Sequence, residues 1–153
     1  MGLKNLQGDT RLKVTASNLA PNSRYTIEVT NLTKGTTAVV KKPSRGGKLT
    51  TVLSADTRGV SKVVIKNSKG AVIKSYVTVG TAEIECCIAK LVTDSINCTC
   101  KCDKCIEDLQ RAQTIRLLLQ AAQYEATLGL EITTQEKYTK AKQLCTEVCA
   151  CGC

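Results

Sequence analysis

Along "RYTIEVTN" apolar and polar positions alternate: Tyr25, Ile27 and Val29 fall on one face, Arg24, Thr26, Glu28 and Thr30 on the other. "RLKVTAS" repeats the pattern with Leu12, Val14 and Ala16. A period of two predicts half-buried antiparallel strands. The reading extends to "TTAVVKK", "KLTTVLS", "VSKVVIKN" and "AVIKSYVTV", separated by the turn-forming "APNS", "TKG", "PSRGG", "DTRG" and "NSKG". Short strands at this spacing over residues 11–80 predict a small antiparallel β-sandwich. Gly46–Gly47 reads as a hairpin turn rather than a phosphate loop, because no helical pattern follows it. Residues 1–10 are polar and short of core positions, and are expected to form an arm reaching a neighbouring subunit.

From Thr81 the period changes to 3–4 residues. Ile84, Cys87, Ile88, Leu91, Val92 and Ile96 predict a first helix over about 82–97, with Glu83 and Glu85 where the helix dipole favours acids. Asp103 can cap a second helix, ended by Gly129, whose stripe is Leu109, Ala112, Ile115, Leu119, Ala122 and Ala126. A second apolar set, Leu117, Leu118, Ala121, Tyr124 and Leu128, widens its arc. A helix apolar on two sides is expected to sit between two neighbours. "TTQE" offers a capping box through Thr133 and Glu136, and the third helix presents Tyr138, Ala141, Leu144, Cys145, Val148 and Cys149. The expected fold class is α+β: a basic β-sandwich over 11–80, then a Cys-rich three-helix bundle, a helical hairpin plus one helix, over 81–153.

Charge divides at the same place. Residues 1–80 hold 14 Lys/Arg against 3 Asp/Glu, and residues 81–153 hold 8 against 10, so +11 and −2 give the net +9. A cationic first half suits an acidic protein surface, an anionic glycan or nucleic acid. Its lysines lie on outward strand positions and only Tyr25 and Tyr76 could stack on bases, which disfavours nucleic acid. The start has no apolar leader, and no stretch approaches the roughly 18 apolar residues of a membrane span, so a soluble protein made in a cytoplasm and no membrane partner are expected.

All ten cysteines lie in the second half: Cys86, Cys87, Cys98, Cys100, Cys102, Cys105, Cys145, Cys149, Cys151 and Cys153. At a rise of about 1.5 Å per residue, Cys145 and Cys149 on the third helix should stand level with Cys86 and Cys87 on the first. The extended tail should bring Cys151 and Cys153 back over Cys98, Cys100, Cys102 and Cys105. Nucleophilic catalysis lacks its base, because the chain has no histidine, and neither a catalytic residue nor an organic cofactor is expected. Two readings of the sulfurs stay open. All ten can form disulfides, replacing a core that has no Phe or Trp. Alternatively, Cys98, Cys100, Cys102, Cys105, Cys145, Cys149, Cys151 and Cys153 can make tetrathiolate zinc sites.

"LAPNSRYTIEV" and "SADTRGVSKVVI" resemble strands of fibronectin-III and of bacterial and phage immunoglobulin-like modules, over about residues 10–80. That resemblance implies an Ig-like sandwich. "ECCIAKLVTDSINCTCKCDKCIEDLQRAQTIRLLLQAAQYEA" resembles the Cys-rich segments of small virion proteins of environmental tailed bacteriophages. It implies a non-enzymatic capsid decoration or head–tail or tail attachment protein, made in a host cytoplasm and exposed after lysis. Its partners would be other protein subunits with acidic surfaces, in a homo-oligomer or multi-copy lattice. The rival expectations are a cytoplasmic zinc-binding interaction module and a basic nucleic-acid binder.

Overall fold

The computed structural model describes residues 2–6, 8–96 and 103–146. Seven strands precede three helices: β1 (Gly2–Leu6), β2 (Arg11–Ala16), β3 (Arg24–Asn31), β4 (Thr36–Pro43), β5 (Leu49–Ser54), β6 (Gly59–Lys66), β7 (Val72–Gly80), α1 (Ala82–Ile96), α2 (Asp103–Thr127) and α3 (Glu131–Thr146). The strands form two antiparallel sheets, ordered β1-β2-β5 and β4-β3-β6-β7. The α+β class and its strand-then-helix order are as the periodicity predicts.

Register explains the first core. Ile27 lies opposite Val40 and Ile65, and Val29 opposite Ala38 and Val63, so one face of the larger sheet is aliphatic. It packs against Leu12, Val14, Ala16, Leu49 and Leu53 of the smaller sheet. Tyr25 closes one end, its hydroxyl accepting a hydrogen bond from Ala20 N at 2.9 Å.

The first residues correct the expectation of a free arm. Gly2–Leu6 is an edge strand on its own chain, with Leu3 opposite Val14 and Asn5 opposite Leu12. Asn5 Nδ2 donates to Thr78 Oγ1 (3.4 Å) and Val79 O (3.3 Å), linking the two sheets at that edge. Leu3 and Leu6 do not alternate cleanly, and backbone pairing supplies what periodicity does not show.

The helices also depart from a self-contained bundle. Their core, Ile84, Ile88, Leu91, Ala112, Ile115, Leu119, Ala122, Ala126, Tyr138 and Ala141, includes Val60 of β6 and Val79 of β7. Val60 lies opposite Val79, and Lys62 opposite Val77, on the sheet face turned away from Val63 and Tyr76. This end of β6 is therefore buried on both sides, with Ser61 and Asn31 inward and Val60 outward, and α1, α2 and α3 cover the outer side. Lys62 Nζ meets Glu131 Oε2 at 3.3 Å where α3 begins.

Gly129 ends α2 as predicted: its φ is +74°, Leu130 N donates to Glu125 O (3.0 Å) and Gly129 N to Ala126 O (3.0 Å), a Schellman arrangement. The "TTQE" capping box is not formed. The helix starts at Glu131, so Thr133 and Thr134 already lie inside it. Both hydroxyls donate back to Leu130 O, at 3.4 and 2.6 Å. The second apolar set of α2 is not buried between neighbours: Leu117, Tyr124 and Leu128 are 65%, 66% and 57% exposed. Leu109 of the first stripe is exposed as well, and Asp108 takes the inward place, 4.0 Å from Arg111 Nη1.

Candidate functional site

One disulfide within the expected inter-helical group is present. Cys87 of α1 and Cys145 of α3 form a disulfide with Cα atoms 6.0 Å apart and 58 residues between them in sequence. Cys86, placed in the same inter-helical group by residue counting, points outward as an exposed free thiol, because adjacent helical positions diverge by about 100°. Cys145 is used by this bond, which removes it from the zinc-ligand set. Cys105 stands in the first turn of α2, while Cys98, Cys100, Cys102, Cys149, Cys151 and Cys153, with the contacts predicted for them, lie outside the described residues. Among the described residues no group of three or more His, Cys, Asp or Glu could hold a metal ion. No helix among them is long and apolar enough to cross a membrane.

The helical layer is fastened to the sheets by a joint that sequence reading missed. Buried Asn31, at the end of β3, donates through Nδ2 to Asp56 O (2.8 Å) and Arg58 O (2.9 Å). Its Oδ1 accepts from Thr33 N (3.0 Å) and Lys34 N (2.9 Å). One side chain thus holds the 33–35 turn beside the 56–58 segment. Four charges meet there, Glu83 being the one on α1: Arg58 Nη2 is 2.9 Å from Asp56 Oδ2, and Lys34 Nζ is 3.4 Å from Asp56 Oδ2 and 2.6 Å from Glu83 Oε1. Asp9 completes the joint. Its carbonyl accepts from Thr57 N (2.8 Å) and Thr57 Oγ1 (3.0 Å), and its Oδ2 accepts from Ala82 N at 2.8 Å, a cap on α1 supplied from 73 residues away. Exchanging Asn31 for alanine is expected to cost roughly 3 kcal/mol, because four backbone partners lose their bonds at once. Urea denaturation followed by circular dichroism checks this.

The joint titrates at both ends of the pH scale. The Arg58 hydrogen bond holds the Asp56 carboxyl well below its usual range, and the Lys34 hydrogen bond lowers Glu83. Both are depressed relative to the unfolded chain, so their stabilisation is present above the ordinary carboxylate range and is lost as pH falls through it. Tyr138, 1% exposed, lies at the same junction, and burial pushes its hydroxyl up to about 12 from 10.0. A raised acid favours the fold below pH 10, and that contribution disappears as pH climbs towards about 12. The melting temperature is therefore expected to drop on both sides of neutrality. Absorbance at 295 nm should show late ionisation of Tyr138 together with unfolding, beside the upward displacement of Tyr76, which burial also raises.

The second candidate is a surface. Only Asp9, Glu28 and Asp56 are acidic in residues 1–80. Asp9 caps α1, Glu28 pairs with Lys66 at 3.0 Å, and Asp56 pairs with Arg58. The outer face of β1-β2-β5 carries Lys4, Arg11 and Lys13 among Thr50, Val52 and Ser54, with no acid. Lys4 and Lys13 lie directly opposite each other across β1 and β2, a like-charge pair that destabilises a sheet. At the strand ends, Lys42, Arg45 and Lys48 line a cavity of about 410 Å³ with Pro43, Leu49 and Thr50. Thr50 belongs to both features, so the two adjoin. Their chemistry is attraction for carboxylates or phosphates. Sequence reading placed these lysines outward but scattered, because β1 was not recognised and Lys4 had no register.

A third feature, a cavity of about 390 Å³ at the β1–β7 edge, is lined by Leu3, Tyr76, Val77, Val79, Gln123 and Thr127. Comparison with protein-family models, curated proteins and solved structures returns no match.

Proposed function

We propose that this chain is a non-enzymatic assembly protein that docks by the outer face of β1-β2-β5 onto an acidic protein surface. The sulfur-tied helices stand off that surface as a rigid spacer. The carrying observation is the Lys4–Lys13 pair: two cations held in register, with every acid of the sheet half engaged elsewhere. Such a face gains by meeting negative charge from outside the chain. Protein is favoured over nucleic acid by the tyrosines, since Tyr25 is buried and Tyr76 packs against the first core, leaving no base-stacking platform on that face.

The strand order supports an Ig-like reading of the sheets. With β1, β2 and β5 as A, B and E, the partners β3, β6 and β7 stand as C, F and G, and β4 as an added C′. The Cys87–Cys145 bond suits an oxidising destination. Together these fit a many-copy virion part, a capsid decoration or head–tail or tail attachment protein exposed after lysis, that uses no cofactor.

Binding to immobilised poly-glutamate and to duplex DNA tests the docking. Wild type is expected to hold poly-glutamate and to lose about tenfold or more in the Lys4→Glu/Lys13→Glu variant. Lys4→Glu alone should raise fold stability, by up to about 1 kcal/mol, while weakening binding, because it exchanges a repulsive cross-strand pair for an attractive one. Stability and binding moving together, or a preference for DNA with a steep salt slope, counts against docking on protein. Immunogold labelling of particles released by cells that make the chain tests the virion assignment, and label confined to the soluble fraction removes it.

A further inference from the structure

From Ile106 onward the outward side of α2 is free of charge. Positions 106, 110, 113, 117, 121, 124 and 128 carry Ile, Gln, Gln, Leu, Ala, Tyr and Leu, a 3–4 spacing that places them on one face opposite the buried Ala112, Ile115, Leu119, Ala122 and Ala126. The charged residues of this stretch, Glu107, Asp108, Arg111, Arg116 and Glu125, all fall off that face. A helix face turned to water ordinarily carries Lys and Glu, and loss of charge with gain of Leu and Tyr is the mark of an interface centre. Past the Gly129 turn, Leu130 and Ile132 are exposed as well, at 45% and 71%.

We infer that two copies of this chain pair through the outward face of α2, with Leu117 and Tyr124 at the centre. Charge selects the occupant. Each copy carries +9, and its sheet half carries +11, so two copies repel wherever those halves approach. The helical half is nearly neutral, and this strip is neutral throughout, so it is the side on which identical chains can meet with little electrostatic cost. A two-fold pair uses the same patch twice, and here the patch holds no charge to oppose itself. The exposed side chains from Ile106 to Ile132 amount to on the order of 800 Å² per copy, the size a standard interface takes from each partner. Pairing along α2 also leaves the β1-β2-β5 face open on each copy. The inference does not depend on the docking reading.

Sedimentation equilibrium of the full chain over a wide concentration range tests it. The expected result is a monomer–dimer equilibrium of the 16.4 kDa chain, with the dimer separating in SDS without reductant. Leu117→Glu/Tyr124→Glu is expected to weaken pairing by about thirtyfold or more. Both sites are solvent-exposed in the single chain, so at concentrations low enough for wild type to be monomeric the two proteins should melt alike by circular dichroism. Lys4→Glu/Lys13→Glu should leave the dimer intact, which separates failure of this inference from failure of docking. A monomer at every concentration, a dimer that survives the α2 substitutions, or a purely covalent dimer overturns it.

Discussion

Gly80→Ala is expected to destabilise the protein by roughly 4 kcal/mol or more, or to prevent folding. A Cβ at this position would lie 1.9 Å from Thr57 O, 2.7 Å from Thr57 C and 3.0 Å from Asp9 Cγ. None of these atoms can retreat cheaply. The Thr57 amide and hydroxyl are both bonded to Asp9 O, and the Asp9 carboxylate is bonded to the first amide of α1. On the strand opposite Gly80, Gly59 is closed in by Thr33 Oγ1, which a Cβ there would meet at 2.5 Å. Two facing glycines let the end of the sheet, the 56–58 segment and the helix start share one small volume. Gly70→Ala is the control, since nothing lies within 4 Å of its Cβ and only its φ of +80° is strained, at about 1 kcal/mol. Urea denaturation of both variants measures the difference. Equal stability would mean that the joint is not packed as described.

Removing the Cys87–Cys145 bond is expected to cost about 4 kcal/mol, the chain-entropy value for a closed loop of this length. The helical core explains why so much depends on one bond. Four of its buried positions, Ala112, Ala122, Ala126 and Ala141, are alanine, and Tyr138 is its one fully buried aromatic. Small side chains allow close helix approach but bury little area each. The bond joins α1 to α3 directly, and both also lean on α2. Cys87→Ser isolates this link from the effect of reductant on other cysteines. Amide exchange should then quicken in α1 and α3 before the two sheets, whose core of Leu12, Val14, Ile27, Val63 and Ile65 is separate. Uniform acceleration across sheets and helices would contradict two cores of unequal strength.

Strands β2 to β7 and the starts of α1 and α2 were legible because along most of their length one side faces a core and the other faces water. Strands β6 and β7 lose that contrast only where the helices cover Val60 and Val79. Periodicity reports that contrast and little else. It missed β1, whose five residues are held by pairing rather than by an apolar face. It also misplaced the cap of α3, because Thr133 and Thr134 satisfy Leu130 O from inside the helix. The second stripe of α2 was visible as a pattern, yet a pattern does not say whether its neighbour lies in the same chain. The joint was beyond reach for a different reason. Asp9, Asn31, Asp56, Arg58 and Glu83 are scattered over the sequence, and only sheet topology brings them together. Helix rise made the group of Cys86, Cys87, Cys145 and Cys149 legible, but not which members pair, because counting gives height and not direction.

Peptide mapping under non-reducing conditions tests most directly the claim that a single sulfur bond ties α1 to α3 and so makes the helical layer rigid. After alkylation and trypsin digestion, the peptide holding Cys86 and Cys87 should appear joined to the one holding Cys145, with the link kept in Cys86→Ser and lost in Cys87→Ser. Recovery of Cys87 and Cys145 both alkylated from native, unreduced protein would contradict it.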